Sequence, residues 1–360
     1  MKIAIFLGAG ASAAENLPIQ NELFSEYFKN LKPSDYDKEM NKELHRFFDQ
    51  MFNIDLKKEK IDKVNFPTFE EVLGLLDLAE QRREFFKNFA LEIVNKESDS
   101  IRFIRQYLIL LMAKSVNKKN ANTYHKLLVN NLLKEGMLLD TTFISANYDI
   151  NIDNTIASLY DKEKSPIMLD YGINFTNFSQ GSNWIKPKEP MVELYKIHGS
   201  LNWMYCPICS SLTLTPYEGG VMRILDNIEG AKCLNCNEIT VPIIVPPTYF
   251  KNISNVFLNI VWNESEKALR ESDILIFCGY SFPEADMHIK YMLKRVQTSR
   301  NKPPLKIMVF NNHQGKKDDS LKKEEARYKR FLGEHVVFTN KSFQDFAKNP
   351  GIYIKSLLNK

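Results

Sequence analysis

The chain has 360 residues, of which 44% are hydrophobic and 12% aromatic, enough to bury a sizeable core and to exclude global disorder. Its 48 basic and 44 acidic side chains leave a formal net charge of +4, too small to imply a nucleic-acid or membrane-surface partner. No apolar run is long enough to span a bilayer and the first residues read as a strand rather than a secretion signal, so the expectation is a cytoplasmic protein of two or three compact units.

Ile3-Ala4-Ile5-Phe6-Leu7 is an unbroken apolar run, which predicts a strand buried on both faces, as in a parallel sheet. It empties into Gly8-Ala9-Gly10-Ala11-Ser12. The two glycines let the backbone turn sharply and approach a ligand without a Cβ in the way. Ala11, Ser12, Ala13 and Ala14 then lead towards a helix start, whose N–H groups favour a phosphate. Gly8-x-Gly10-x-x-Ala13 alone is a weak fingerprint, shared with ordinary tight turns. No acidic residue closes a second short strand about 20 residues on, where a dehydrogenase would hold the ribose. Residues 18–30 read as helix instead. A nucleotide bound in another geometry is the expectation.

From 18 to 140 the pattern is helical, with apolar residues at three- and four-residue spacing over 69–78 and 101–114. The charged stretch 81–87 predicts a solvated helix face, and 57–60 a surface loop or helix end. Strand patterns return at 141–145, 193–197, 241–245, 273–278, 305–310 and 335–339. Helical ones fill 255–271, 285–297 and 321–332. Strands alternating with helices predict an α/β domain with a doubly wound parallel sheet. That domain would comprise 1–17 and 141–360, interrupted by a helical insert over 18–140 and a small module over 203–240.

The module carries Cys206-Pro-Ile-Cys209 and Cys233-Leu-Asn-Cys236, two C-x-x-C pairs separated by 23 residues. In a reducing compartment that spacing reads as a tetrahedral four-cysteine zinc site rather than disulfides, with a redox pair or a vacant remnant as the alternatives. Four thiolates saturate the metal, so the zinc would be structural. Cys278 lies inside an apolar run and reads as a small core residue.

Three further motifs follow strand ends, where open α/β sheets place their ligands. Asn147 lies just past one strand, with Asp149 as a candidate cap of the next helix. His198, followed by Gly199 and Ser200, ends another and is a candidate base or hydrogen-bonding group. Gly279-Tyr280-Ser281 makes a small-residue turn suited to a phosphate or ribose.

Together these residues resemble the sirtuin (silent information regulator) superfamily, in order and along nearly the whole chain. Gly8 to Ser12 looks like the sirtuin GAG-x-S dinucleotide loop, Asn147-Tyr148-Asp149 like its Asn-Ile-Asp motif and His198-Gly199 like its His-Gly motif. The C-x-x-C pairs follow as they do in sirtuins. Gly279-Tyr280-Ser281 stands where sirtuins have Gly-Thr-Ser, and Asn311-Asn312 where an Asn contacts the adenosine ribose. The resemblance implies a sirtuin-like Rossmann variant that takes NAD. Gly8, Ala9, Gly10 and Ser12 would hold the pyrophosphate, with Gly279, Tyr280, Ser281, Asn311 and Asn312 also binding the nucleotide. Asn147 would place a water or a ribose hydroxyl, and His198, facing it across the cleft, would accept a proton. Asp149 would polarise the site or cap a helix.

Two departures from the deacylase pattern carry weight. Asn16-Leu17-Pro18-Ile19-Gln20 replaces the Gly-Ile-Pro-Asp-Phe-Arg stretch, and Val245-Pro246-Pro247-Thr248-Tyr249-Phe250-Lys251 replaces the Phe-Gly-Glu strand that pairs with an acyl-lysine peptide. Proline donates no backbone hydrogen bond, so this segment suits that pairing poorly. With the long helical insert, the pattern resembles the bacterial sirtuin-like effectors of antiphage defence. That resemblance implies NAD hydrolysis to ADP-ribose and nicotinamide, a homo-oligomer, and a partner defence protein or phage-derived trigger. A lysine deacylase and a non-catalytic NAD or ADP-ribose sensor are the alternatives; a sensor needs neither Asn147 nor His198.

Overall fold

The computed structural model describes residues 1–35, 38–90, 99–116, 123–160, 167–176, 190–215, 232–245, 255–284, 286–311 and 318–358. The strands in chain order are β1 (Ile3–Leu7), β2 (Phe89–Ala90), β3 (Asp99–Ser100), β4 (Thr141–Ser145), β5 (Met168–Asp170) and β6 (Met191–Lys196). There follow β7 (Gly199–Tyr205), β8 (Leu212–Leu214), β9 (Val241–Ile244), β10 (Ile274–Cys278), β11 (Lys306–Phe310) and β12 (Val337–Phe338). Two units are resolved by their internal packing: Met1–Asn16 with Lys119–Val245 and Asn252–Lys360, and a second built on Leu17–Lys118.

In the first unit seven strands form one sheet in the order β12-β11-β10-β1-β4-β6-β5. Every neighbouring pair is parallel. β1 and β10 are apolar throughout and no residue of either is more than 1% exposed, which is the burial expected of central strands covered on both faces. One group of helices packs Val256–Glu271 against Met287–Ser299. Another gathers Asn151–Ala157, Phe343–Lys348 and Pro350–Leu358 around Thr123–Lys134. The doubly wound expectation is met. Thr123–Lys134, which the sequence places in the insert, packs with this unit. Its N-terminal amides, those of Thr123, Tyr124 and His125, all donate to the Glu15 carboxylate.

The chain leaves β1 for β4, fills that side of the sheet, and crosses to β10 on the other side of β1. The reversal therefore falls between β1 and β10, the place where open α/β sheets bind ligands. The registers bring the strand ends level: Leu7 pairs with both Cys278 and Ser145, Ser145 with Lys196, and Cys278 with Phe310. Four of the strands add one more ladder bond past these positions, through the N–H groups of Gly8, Ala146, Ile197 and Gly279. All the strand-end motifs begin from this one row.

β8, β7 and β9 form a separate antiparallel sheet. β7 begins at Gly199, directly after His198, so the change of sheet precedes the expected module boundary at 203. The turn demands this glycine: its φ is +84° and a Cβ there would lie 2.0 Å from the Ile243 carbonyl oxygen.

The second unit contains the helices Leu23–Lys29, Glu39–Phe52, Phe69–Arg82 and Ile101–Val116, with β2 and β3 paired. Its core is aromatic, with Phe24 and Phe28 each in contact with both Phe48 and Phe66, which also touch each other. A capping box between Thr68 and Glu71 starts the helix Phe69–Arg82, and Arg83 ends it in the left-handed conformation. The charged stretch 81–87 is thus a helix end and turn, not a helix face. The helix expected over 18–30 is confined to Leu23–Lys29. Among the described residues no helix is long and apolar enough to cross a membrane.

Candidate functional site

Two strand-end loops meet at the reversal point. The Gly8 N–H donates to the Cys278 carbonyl at 2.9 Å and the Gly10 N–H to the Gly279 carbonyl at 2.8 Å. A Cβ on Gly8 would lie 2.6 Å from the Gly279 oxygen, and one on Gly279, whose φ is +64°, would lie 2.2 Å from the Ala11 nitrogen. What these glycines admit is each other's backbone. The N–H groups of Gly8 and Gly10 are spent on carbonyls, and the absence of side chains lets the two loops close on each other. Ala9 is the exposed residue of the turn.

The next layer is a chain of hydrogen bonds joining β1 to β4. Asn147 Nδ2 donates to the Gly8 carbonyl at 2.9 Å and to Ser12 Oγ at 2.8 Å, and Ser12 Oγ donates to Asp149 Oδ2 at 2.5 Å. A carbonyl only accepts, so the amide nitrogen of Asn147 has to face Gly8. Its Oδ1 is then the atom turned away from this contact. Asp149 stands one residue before the helix cap Ile150, and its carboxylate serves both the helix start and the site. Its Oδ1 accepts the Asn151 N–H at 3.1 Å at the start of Asn151–Ala157, while Oδ2 holds Ser12. Ser12 and Asp149 are buried, and Asn147 is half-buried.

His198 stands two residues beyond Lys196, as Asn147 stands two beyond its partner Ser145. Its Nδ1 lies 3.1 Å from the Ala146 carbonyl, which again only accepts, so Nδ1 carries a proton. In the neutral ring Nε2 is the basic nitrogen. The ring is 2% exposed and flanked by Tyr148 and Trp262, at centroid distances of 6.2 and 6.5 Å. Trp262 is fastened through its indole N–H to the Ile197 carbonyl at 2.8 Å. The Tyr148 hydroxyl donates to the Val245 carbonyl at 2.9 Å, and the Val245 N–H donates to the His198 carbonyl at 3.0 Å.

On the other side of β1 the assignments divide. Tyr280 is a core residue: its ring lies 4.7 Å from that of Phe6 and its hydroxyl donates to Asp286 Oδ2 at 2.7 Å. A phenol so placed packs the loop from beneath, so any contact of Tyr280 with a nucleotide would come from its backbone. Ser281 is exposed, and its carbonyl accepts from Arg327. Asn311 is 2% exposed and donates to Glu324 Oε2 at 3.1 Å, while its Oδ1 is buried without a partner among the described residues. Asn312 lies outside the described residues.

The sulfurs of Cys206, Cys209, Cys233 and Cys236 lie within 4.8 Å of one another, two of the pairs at 3.5 Å. A zinc with four bonds of about 2.3 Å sets its sulfurs about 3.8 Å apart, so this donor set fits one tetrahedral zinc. The Asn235 N–H donates to Cys233 Sγ at 3.4 Å, a contact that favours the thiolate. Cys278 is fully buried in β10, and burial drives its thiol far upward, in keeping with a core role.

A family model described as a SIR2-like domain matches residues 141–332. Among solved structures, a Sir2 homologue–NAD complex is similar at 12% identity over 99% of this chain and 90% of that one, with a TM-score of 0.48. A Sir2 homologue mutant in complex with 2'-O-acetyl ADP ribose is similar at 12% identity over 100% and 94%, with a TM-score of 0.47. No curated protein matches the chain by sequence.

Proposed function

This chain belongs to the SIR2-like domain family, and from that premise we propose that it is an NAD glycohydrolase, cleaving NAD with water to ADP-ribose and nicotinamide. The observation that carries this reading is the Ser12–Asn147–Asp149 chain, which joins the loop after β1 to the loop after β4, with a His198 of fixed tautomer just past the end of the neighbouring β6. In the cleavage the bond from C1' of the ribose to the pyridinium nitrogen breaks, and its electron pair neutralises the departing nicotinamide. The sugar is left oxocarbenium-like, and a water adds to C1'. The substrate thus brings its own leaving group, and the protein's part is to orient and to take one proton. Asn147 Oδ1 accepts a hydrogen bond from the water or from a ribose hydroxyl. His198 Nε2 takes the proton released as the new C–O bond forms, directly or through that hydroxyl. Asn311 Oδ1, without a partner among the described residues, suits a hydroxyl donor of the adenosine ribose.

Val245 favours hydrolysis over lysine deacylation. Its N–H and C=O are both occupied, by His198 and Tyr148, so Val245 itself offers no free N–H to pair with an extended peptide. The role in antiphage defence rests on the motif pattern. In that role the protein is an oligomeric effector that empties a bacterial cell of NAD when a phage component or partner protein activates it. The test is product analysis with NAD, with and without an acetylated peptide. Free ADP-ribose and nicotinamide support the proposal; O-acetyl-ADP-ribose formed only with peptide makes it a deacylase, and no turnover even with infected-cell extract makes it a sensor.

A further inference from the structure

Lys196 is completely buried, at the last position of β6 and two residues before His198. Its ammonium donates to the Asp149 main-chain carbonyl and to Asp153 Oδ2, the latter at 3.2 Å. Asp153 is held in turn by the Tyr171 hydroxyl at 2.6 Å, and Tyr171 accepts from Asn202 Nδ2 at 3.2 Å. Lys196, Asp153, Tyr171, Asn202 and Asp149 are all at least nine-tenths buried. They come from β6, the helix Asn151–Ala157, the turn after β5, β7, and the loop after β4 that carries Asn147.

A buried ion pair is poor evidence of stability, because a well-packed apolar pair often replaces it without loss. What this pair adds is direction. Balancing Asp153 requires one carboxylate contact, yet the ammonium also grips the carbonyl of Asp149, whose side chain orients Ser12, to which Asn147 donates. One cation thus fixes the β4 loop by a hydrogen bond and the β6 loop by the chain itself. We infer that Lys196 is a positioning residue for the NAD site: it sets the Asp149 backbone so that Ser12, Asn147 and His198 hold one geometry, while it touches no substrate. This inference rests on the proposed hydrolase reading for its kinetic effect.

The experiment removes both charges together, because Lys196→Met alone strands Asp153 as an unpaired buried carboxylate. The double variant Lys196→Met/Asp153→Asn should keep one zinc and fold. Its kcat for NAD cleavage should fall at least tenfold while KM stays within about threefold, the pattern of lost transition-state geometry. A double variant with wild-type kcat makes the pair merely structural and overturns the inference. If that protein does not fold, Tyr171→Phe reads the same chain through the loosened Asp153: kcat should fall severalfold at constant KM and zinc content, and an unchanged kcat is the contrary result. Should wild-type protein leave NAD intact under every condition, the hydrolase reading fails by itself. The positioning is then read from amide exchange over Asn147–Asn151 in the folded variant, faster if Lys196 sets this loop and unchanged if it does not.

Discussion

In the proposed hydrolysis Asn147 and His198 divide the chemistry between placing a nucleophile and taking a proton. Asn147→Ala and His198→Ala should each lower kcat by about 10²–10⁴, as expected for a positioned base or its partner, with zinc content and folding retained. Ser12 reads from the sequence as a binding residue, whose loss would raise KM. Its hydroxyl instead bridges Asn147 and Asp149, so Ser12→Ala should lower kcat at least as much as it raises KM, which steady-state kinetics on NAD will separate. The motif residues were legible because each follows a strand end and the strands are in register. The burial of the Tyr280 side chain is not legible in the sequence, because a phenol can serve a core or a ligand equally well and only its contacts with Phe6 and Asp286 place it. Lys196 escaped notice because its partners lie 43 and 47 positions away. A charged residue two places before a histidine reads as a strand's solvent face, and nothing in the local pattern announces full burial.

At the level of elements, the two cysteine knuckles act as one. Cys233→Ser should reduce bound zinc from one per chain towards none and lower Tm, with a smaller effect on NAD turnover, since structural zinc contributes directly to folding. Elemental analysis beside calorimetry checks this. The helix Thr123–Lys134 depends on a distant cap: Glu15 accepts three of its N-terminal amides and lies 3.2 Å from His125 Nδ1. Burial pushes the Glu15 carboxyl up, but the hydrogen bonds from His125 and Thr123 and the neighbouring imidazole outweigh it and hold it below its ordinary 4.5. A depressed carboxyl contributes stability that is complete above that ordinary value and is lost as pH falls through the folded one. Glu15→Gln should therefore cost about 1–3 kcal/mol near neutral pH. The difference from wild type should shrink below about pH 4 in acid unfolding curves. Strand positions are visible in the apolar and β-branched runs, 141–145 matching β4 residue for residue. The early start of β7 was not, because it depends on a single left-handed glycine rather than on any pattern.

For the whole molecule, alternating strands and helices told of the doubly wound sheet, and the two C-x-x-C pairs told of the metal site. Which helices belong with the sheet was not readable, because Thr123–Lys134 is apolar on one face like its predecessors and its allegiance is decided by Glu15 and Phe343. The central claim is that this sheet brings Asn147 and His198 to NAD for hydrolysis. Its most direct test is nicotinamide release from NAD by wild-type and His198→Ala protein side by side, with infected-cell extract as activator. The account predicts nicotinamide and ADP-ribose in equal amounts from the wild type and release slower by about a hundredfold or more from the variant. Equal rates from the two would contradict it.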